Sequence, residues 1–444
     1  MIRKTAKFIF SILLMAVLFF GIGRGLRYLL INDTESFTRV MLHQLYTADR
    51  NIDIAVLGSS HAYKAFMPSV MDQYFGKYTF NAGASSQTLD GSYALLRELF
   101  DGNHPERIYL ELYYGIAAQP EYKDRTSMTN TYILSDYMKP SWNKVRFLLQ
   151  AGPKEQYVNA FIPARREWRK LFDLQYMADL FLLKQSPEYK SFQLKHREDL
   201  PDYYVDRGFV TSDRIRPNPY WNSDVRKPIE KPVRITPEND WYRSLIDIID
   251  YCRKQQTELV FVIVPIPADL SVGKGNYQEY HDLVASIAME NGIPFYDFNL
   301  CRKEFFDTGN YRLFKDDDHL NAVGAEAFSV LFSRLCTGEI SEEELFYPSL
   351  SDKLAAEDPQ IYGFGGLFTD PDTQIRYGRV ISNRDSGIEY RIEVRSGEGE
   401  AECLQDYGEN KDFILPAGLS HGTLITYWRD PEDPEKNGSL SADF

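Results

Sequence analysis

Short apolar runs and segments of helical periodicity take turns along most of the chain. Runs rich in β-branched and aromatic residues at Ile52–Leu57, Tyr78–Asn81, Arg107–Leu112, Leu259–Val264 and Pro294–Phe298 read as strands. Between them, Tyr93–Phe100, Tyr242–Lys254, Tyr277–Glu290 and Ala322–Leu335 carry apolar residues at helical spacing. Short buried strands separated by helices predict an α/β fold, a parallel sheet flanked by helices on both faces. In such sheets, sites form at the carboxyl ends of the strands.

Two stretches depart from this rhythm. From about residue 116 to 240 the chain is rich in aromatic residues, with a basic pair at Arg165 and Arg166 and a proline-containing tail from Arg216 to Pro237. This reads as a largely helical insertion over the catalytic face of an α/β domain spanning 45–338. After Leu335, alternating stretches at Gln374–Ile381, Glu389–Val394 and Thr423–Trp428 are separated by Gly, Asp and Pro turns. They predict a β-sandwich-like module over 360–432, with the acidic Glu339–Glu344 as its boundary.

The amino end adds a compartment. Phe8 to Gly23 is an uninterrupted apolar run of sixteen residues, preceded by Arg3, Lys4 and Lys7 and followed by Arg24 and Arg27. Without an A-x-A-like cleavage site, residues 1–31 read as a transmembrane anchor, amino end in the cytoplasm and body extracytoplasmic. The rival, a cleaved signal peptide, exports the body as well. At about 1.5 Å per residue the run falls short of a hydrocarbon core of about 30 Å, so such a span needs local thinning or a snorkelling Arg24.

Bulk chemistry narrows the function. A formal net charge of −14 over 444 residues argues against nucleic acid as a partner, because phosphate neutralisation needs clustered Lys and Arg. Cys252, Cys301, Cys336 and Cys403 show no C-x-x-C spacing and read as small buried apolar residues. No motif calls for a metal or organic cofactor. Gly363-Phe-Gly365-Gly366 lacks the Lys-Ser/Thr of a phosphate loop, and Asp316 to Asp318 lacks the spaced ligands of a calcium site.

The candidate chemistry lies in three short blocks. Ile52–Leu57 runs into Gly58-Ser59-Ser60-His61, a serine on a strand-to-helix turn with backbone N–H groups aimed at any developing anion. Asp316-x-x-His319 precedes the last helix of the α/β region, a spacing that lets a carboxylate fix the imidazole tautomer while the other ring nitrogen faces a serine. Between them, Asn81-Ala82-Gly83 ends a strand where glycine allows close backbone approach to an oxyanion. His61 reads as a solvent-facing residue of a first helical turn, and His104 as part of a surface turn.

Together these blocks resemble the SGNH (GDSL-like) hydrolase superfamily, with Ser59 at its usual Asp position. The resemblance covers roughly residues 50–115 and 240–336. It implies Ser60 as nucleophile, His319 as base and Asp316 as its orienter, with the N–H groups of Ser60 and Gly83 and the Asn81 block lining the oxyanion site. The family's third block, Gly-x-Asn-Asp, is absent: the corresponding strand ends Leu110-Glu111-Leu112-Tyr113-Tyr114-Gly115. Tyr113, Tyr114 or an insertion residue is expected to stand in. Losing one oxyanion donor costs about 100- to 1000-fold in rate. With the amino-terminal anchor and the insertion, the pattern is similar to the membrane-anchored envelope O-acyltransferase branch, alginate O-acetylation and teichoic acid D-alanyl transfer proteins. That resemblance implies an extracytoplasmic acyltransferase or esterase acting on an envelope glycan or related hydroxyl-bearing polymer, acetyl being the expected group. It also implies a partner of the membrane-bound O-acyltransferase family. The alternative is a catalytically weak or inactive scaffold that binds glycan or that partner.

Overall fold

A computed structural model describes residues 2–117, 121–217, 221–222, 239–369, 375–384, 386–397, 399–416 and 418–444. The amino-terminal run forms one helix, α1 (Ile2–Leu30). Among the described residues, no helix is long and apolar enough to cross a membrane.

Five parallel strands form the main sheet: β1 (Ile54–Leu57), β2 (Thr79–Asn81), β3 (Arg107–Glu111), β4 (Glu258–Ile263) and β5 (Phe295–Asp297). Their order is β2-β1-β3-β4-β5, with Ile54 opposite both Thr79 and Arg107 in register. Each expected strand is present with its ends within two residues of those expected; four are trimmed, and the fourth in chain order is shifted by one to begin at Glu258, which pairs with Arg107. Side chains alternate between two cores. Ala55, Leu57, Ile108, Leu110 and Phe261 face the helices Leu89–Leu99, Asp240–Gln255 and Tyr277–Asn291. Ile54, Val56, Tyr109, Val260 and Val262 face Phe66, Phe328 and Phe332, the last two from the helix Ala322–Cys336. Burial on both faces explains why these strands read as continuous apolar runs. Strand order reverses between β1 and β3, which opens a crevice at the carboxyl edge of β1.

The region between β3 and β4 contains several short helices, including the 3-10 segment Pro163–Phe172 and the helix Leu174–Leu183, and a hairpin, Tyr203–Asp206 with Phe209–Thr211. Most of the Arg216–Pro237 tail lies outside the described residues. The hairpin docks on the end of β2, where Asn81 N–H donates to Arg207 C=O at 2.9 Å. Gly208 has φ +85°, and a Cβ there would fall 1.6 Å from Asn81 C=O, so only glycine permits the contact.

The carboxyl-terminal region builds two four-stranded sheets around a core of Phe364, Val380, Tyr390, Ile392, Phe413 and Leu424, one of them completed by Trp221–Asn222 from the insertion, which pairs parallel with Ile361–Thr369. Beyond the three stretches that alternate clearly, it contains strands Ile361–Thr369, Ala401–Gly408, Asp412–Leu415 and Asn437–Asp443. The cysteines are all free thiols: Cys252 and Cys301 are buried, Cys336 is partly buried, and Cys403 is exposed, unlike the reading of all four as buried.

Candidate active site

Ser60 opens helix α2 (Ser60–Ala65), with Ser59 as its cap: Ser59 Oγ accepts the His61 N–H at 3.2 Å. This puts Ser60, partly exposed, at the carboxyl edge of β1, and its own N–H in the first turn, where no intrahelical acceptor exists. The acidic loop arrives from the far end of the chain. His319 Nε2 lies 2.8 Å from Ser60 Oγ. On the other side of the ring, His319 Nδ1 lies 3.0 Å from Asp316 Oδ1, and Asp316 Oδ1 also accepts the His319 backbone N–H at 2.9 Å. Ser60, His319 and Asp316 therefore stand in one hydrogen-bonded line.

Asp318 is a second carboxylate on the same nitrogen, with Oδ1 2.7 Å from His319 Nδ1. Burial alone lowers the His319 pKa, but hydrogen bonding of the imidazole N–H to Asp316 and Asp318, together with their charge, outweighs it and raises the value to about 9. Burial opposes ionisation of Asp318 too, yet His319 and His61 hold its pKa well below the usual carboxylate range. His61 is not solvent-facing. It is buried, stacked on Tyr113 at 3.7 Å between ring centroids and on His319 at 4.6 Å, with Nε2 3.5 Å from Asp318 Oδ2. A residue in the first turn of a short helix packed against a sheet edge has no free face, which a periodicity reading of α2 missed.

The other candidate residues divide. Tyr113 belongs to the site, its hydroxyl donating to Asp318 Oδ2 at 3.1 Å. Tyr114 is buried behind it, rings 4.5 Å apart, in the main core. Asn81 is fully buried and its amide donates to Ala62 C=O and Phe66 C=O, both at 2.9 Å, so it braces α2 instead of facing substrate. Gly83 N–H donates to Asn81 Oδ1 at 3.1 Å and is therefore already engaged. His104 is exposed in its turn, as its surroundings suggest.

Two more residues shape the site without signalling themselves. Glu111, last in β3 and buried, accepts both Ser59 N–H and Ser59 Oγ–H at 2.9 Å, placing a carboxylate directly beneath the nucleophile turn. Burial raises its pKa, against the lowering effect of His61 and the Ser59 hydrogen bonds. The turn tolerates this because Gly58 has φ +149°, and a Cβ there would meet Glu111 Oε2 at 2.6 Å. Asp202, from the insertion, pairs with Lys64 of α2 at 2.8 Å and Lys315 of the acidic loop at 2.7 Å. The insertion thus clamps together the two segments that carry Ser60 and His319.

Donor atoms of His61, Asp318 and His319 lie within 4.8 Å of one another, close enough for a metal ion. The His319 nitrogens are already directed at Ser60 on one side and Asp316 and Asp318 on the other, an arrangement suited to proton transfer.

No family model matches the chain, and no curated protein is significantly similar to it. Solved structures with related outlines include a GDSL-like lipase from Bacteroides thetaiotaomicron, at 9% identity, covering 68% of this chain and 100% of that one with a TM-score of 0.31. Another is an alpha/beta hydrolase enzyme from the metagenome of Lake Arreo, at 12% identity, covering 65% and 96% with a TM-score of 0.31. At such scores the likenesses decide neither family nor chemistry, and the functional reading rests on the side chains around Ser60.

Proposed function

We propose that the chain is a serine-dependent acyl-transfer enzyme, an O-acyltransferase or ester hydrolase of the SGNH type, working through an acyl group on Ser60. The observation that carries the reading is the 2.8 Å contact between Ser60 Oγ and His319 Nε2, with Asp316 on the opposite ring nitrogen. Neutral His319 takes the Ser60 proton as Oγ attacks the ester carbonyl. The oxyanion then draws on the first-turn N–H of α2, and the imidazolium returns its proton to the leaving alkoxide. Water or an incoming hydroxyl, deprotonated by the same imidazole, releases the acyl group.

The acceptor we propose is an extracytoplasmic glycan or related hydroxyl-bearing polymer, with acetyl as the group carried and a membrane-bound O-acyltransferase protein as donor. The sequence resemblance supports this part. A second reading, a weakly active scaffold that binds glycan or that donor, is favoured by one observation. Asn81 and Gly83 are spent on internal hydrogen bonds, which leaves few oxyanion donors.

A fluorophosphonate probe separates the two. Stoichiometric labelling of the full chain that disappears in Ser60→Ala supports the enzyme, and no labelling of the parent chain moves the assignment to the scaffold.

A further inference from the structure

Large apolar side chains stand exposed in two places that adjoin each other. On α1, Phe10, Leu14, Val17 and Ile22 are all open to solvent. In the segment 158–184, which contains α3 (Leu174–Leu183), so are Trp168, Phe172, Leu174 and Leu182, Phe172 at 81% and Leu174 at 75%. The carboxyl end of α1 is fastened to this segment. Tyr28 Oη donates to Lys184 C=O at 3.2 Å, Tyr176 Oη to Leu30 C=O at 3.1 Å, and Lys184 Nζ to Ile31 C=O at 2.6 Å. The Tyr28 ring also meets Phe181 edge-on at 6.2 Å.

Charge singles out the same region. Residues 2–30 and 158–184 together carry ten Lys and Arg against three Asp and Glu, in a chain whose formal net charge is −14. Arg165 and Arg169 stand exposed beside Trp168 in the 3-10 segment. Aromatic and leucine side chains flanked by exposed arginines are the composition of segments that lie in the interface plane of a bilayer. A second copy of the chain would bring two surfaces of the same positive sign together, whereas anionic head groups complement them.

We infer that α1 and the 158–184 segment form one membrane-seating face, with Trp168, Phe172, Leu174 and Leu182 in the interface of an anionic bilayer and Arg165 and Arg169 at its head groups. This seating lies along the surface and does not require α1 to cross. It also fixes the site relative to the lipid through a chain of contacts. Arg39 donates to Tyr189 C=O at 2.7 Å near the seating segment, and Gln44 on the same helix, Phe37–Tyr46, accepts the Arg207 N–H at 3.0 Å. Arg207 C=O in turn holds Asn81 beside the nucleophile helix. An enzyme anchored this way acts on substrates within a fixed reach of the membrane surface.

The test uses the full chain with vesicles of phosphatidylcholine and phosphatidylglycerol, the acyl chains brominated near the head group, and reads tryptophan quenching. Bromolipid quenching that is lost in Trp168→Phe, and that weakens roughly ten-fold or more in vesicle affinity when Arg165 and Arg169 become Gln or phosphatidylglycerol is omitted, supports the face. Quenching unchanged by Trp168→Phe overturns it, because the chain then meets lipid elsewhere. A concentration-dependent dimer that shields Trp168 without lipid also overturns it, in favour of a second copy. The readout involves no acyl chemistry, so failure here leaves the Ser60 labelling result standing, and the reverse holds too.

Discussion

Replacing Asp318 by Asn removes the carboxylate oxygen that lies 2.7 Å from His319 Nδ1 and leaves Asp316 in place at 3.0 Å. With both carboxylates present the imidazole pKa stands at about 9, above its ordinary 6.5. A base must be neutral to accept the Ser60 proton, so at pH 7 only about 1% of the parent enzyme is competent. Acylation of Ser60 should therefore rise with pH, reach half its maximum near pH 9 and level off above it. Each unit by which Asp318→Asn lowers the pKa is about 1.4 kcal/mol of lost imidazolium stabilisation and increases the competent fraction at pH 7 about ten-fold. Asp316 still holds the tautomer, so the substitution should move the acid limb downward without abolishing turnover. The assay is the pH dependence of the second-order rate of inactivation by a fluorophosphonate or of p-nitrophenyl acetate turnover. An acid limb near 6.5 in the parent, or a limb that does not move in Asp318→Asn, refutes the reasoning. Folded-state stabilisation follows the same sign: the raised pKa contributes fully below about 6.5 and is lost as pH rises through about 9.

Other substitutions test the supports of the site. Glu111→Ala strips Ser59 of the acceptor for two hydrogen bonds and leaves a cavity beneath the turn, which should cost about 2–4 kcal/mol in urea unfolding and slow acylation. Gly58→Ala drives a Cβ into Glu111 at 2.6 Å from a φ of +149°, so it should destabilise by more than about 2 kcal/mol, partly relieved in Gly58→Ala with Glu111→Ala. Asp202→Ala leaves Lys64, buried in the fold, without its carboxylate, and should cost about 3–5 kcal/mol while loosening both catalytic loops; urea melts and probe-labelling rates read the two effects.

The parallel sheet was legible because buried strands have a plain signature: five runs of β-branched and aromatic residues, each now a strand to within two residues. The carboxyl-terminal strands were half hidden for the converse reason. Ala401–Gly408 and Asn437–Asp443 have few buried side chains, so alternation fades, and Ile361–Thr369 is rich in glycine. Within the site, Ser60, Asp316 and His319 were visible from spacing, and the fold brings them within hydrogen-bond reach. His61 and Asp318 were not, because their proximity to His319 comes from the fold of two distant loops. Glu111 left one trace, a lone carboxylate closing an apolar strand, which a buried polar group without a local partner should have flagged. Asn81 shows the opposite error: a polar residue at a strand end looked like a ligand donor and proved to be a brace.

Rapid acid quench of the enzyme during turnover of an activated acetate ester, followed by mass analysis of the peptide carrying Ser60, addresses the reaction directly. An added acetyl group on Ser60 at near one per chain, absent when His319 is replaced by Ala, is the predicted result. An unmodified peptide under conditions where ester is consumed would contradict the central claim that Ser60 is the nucleophile.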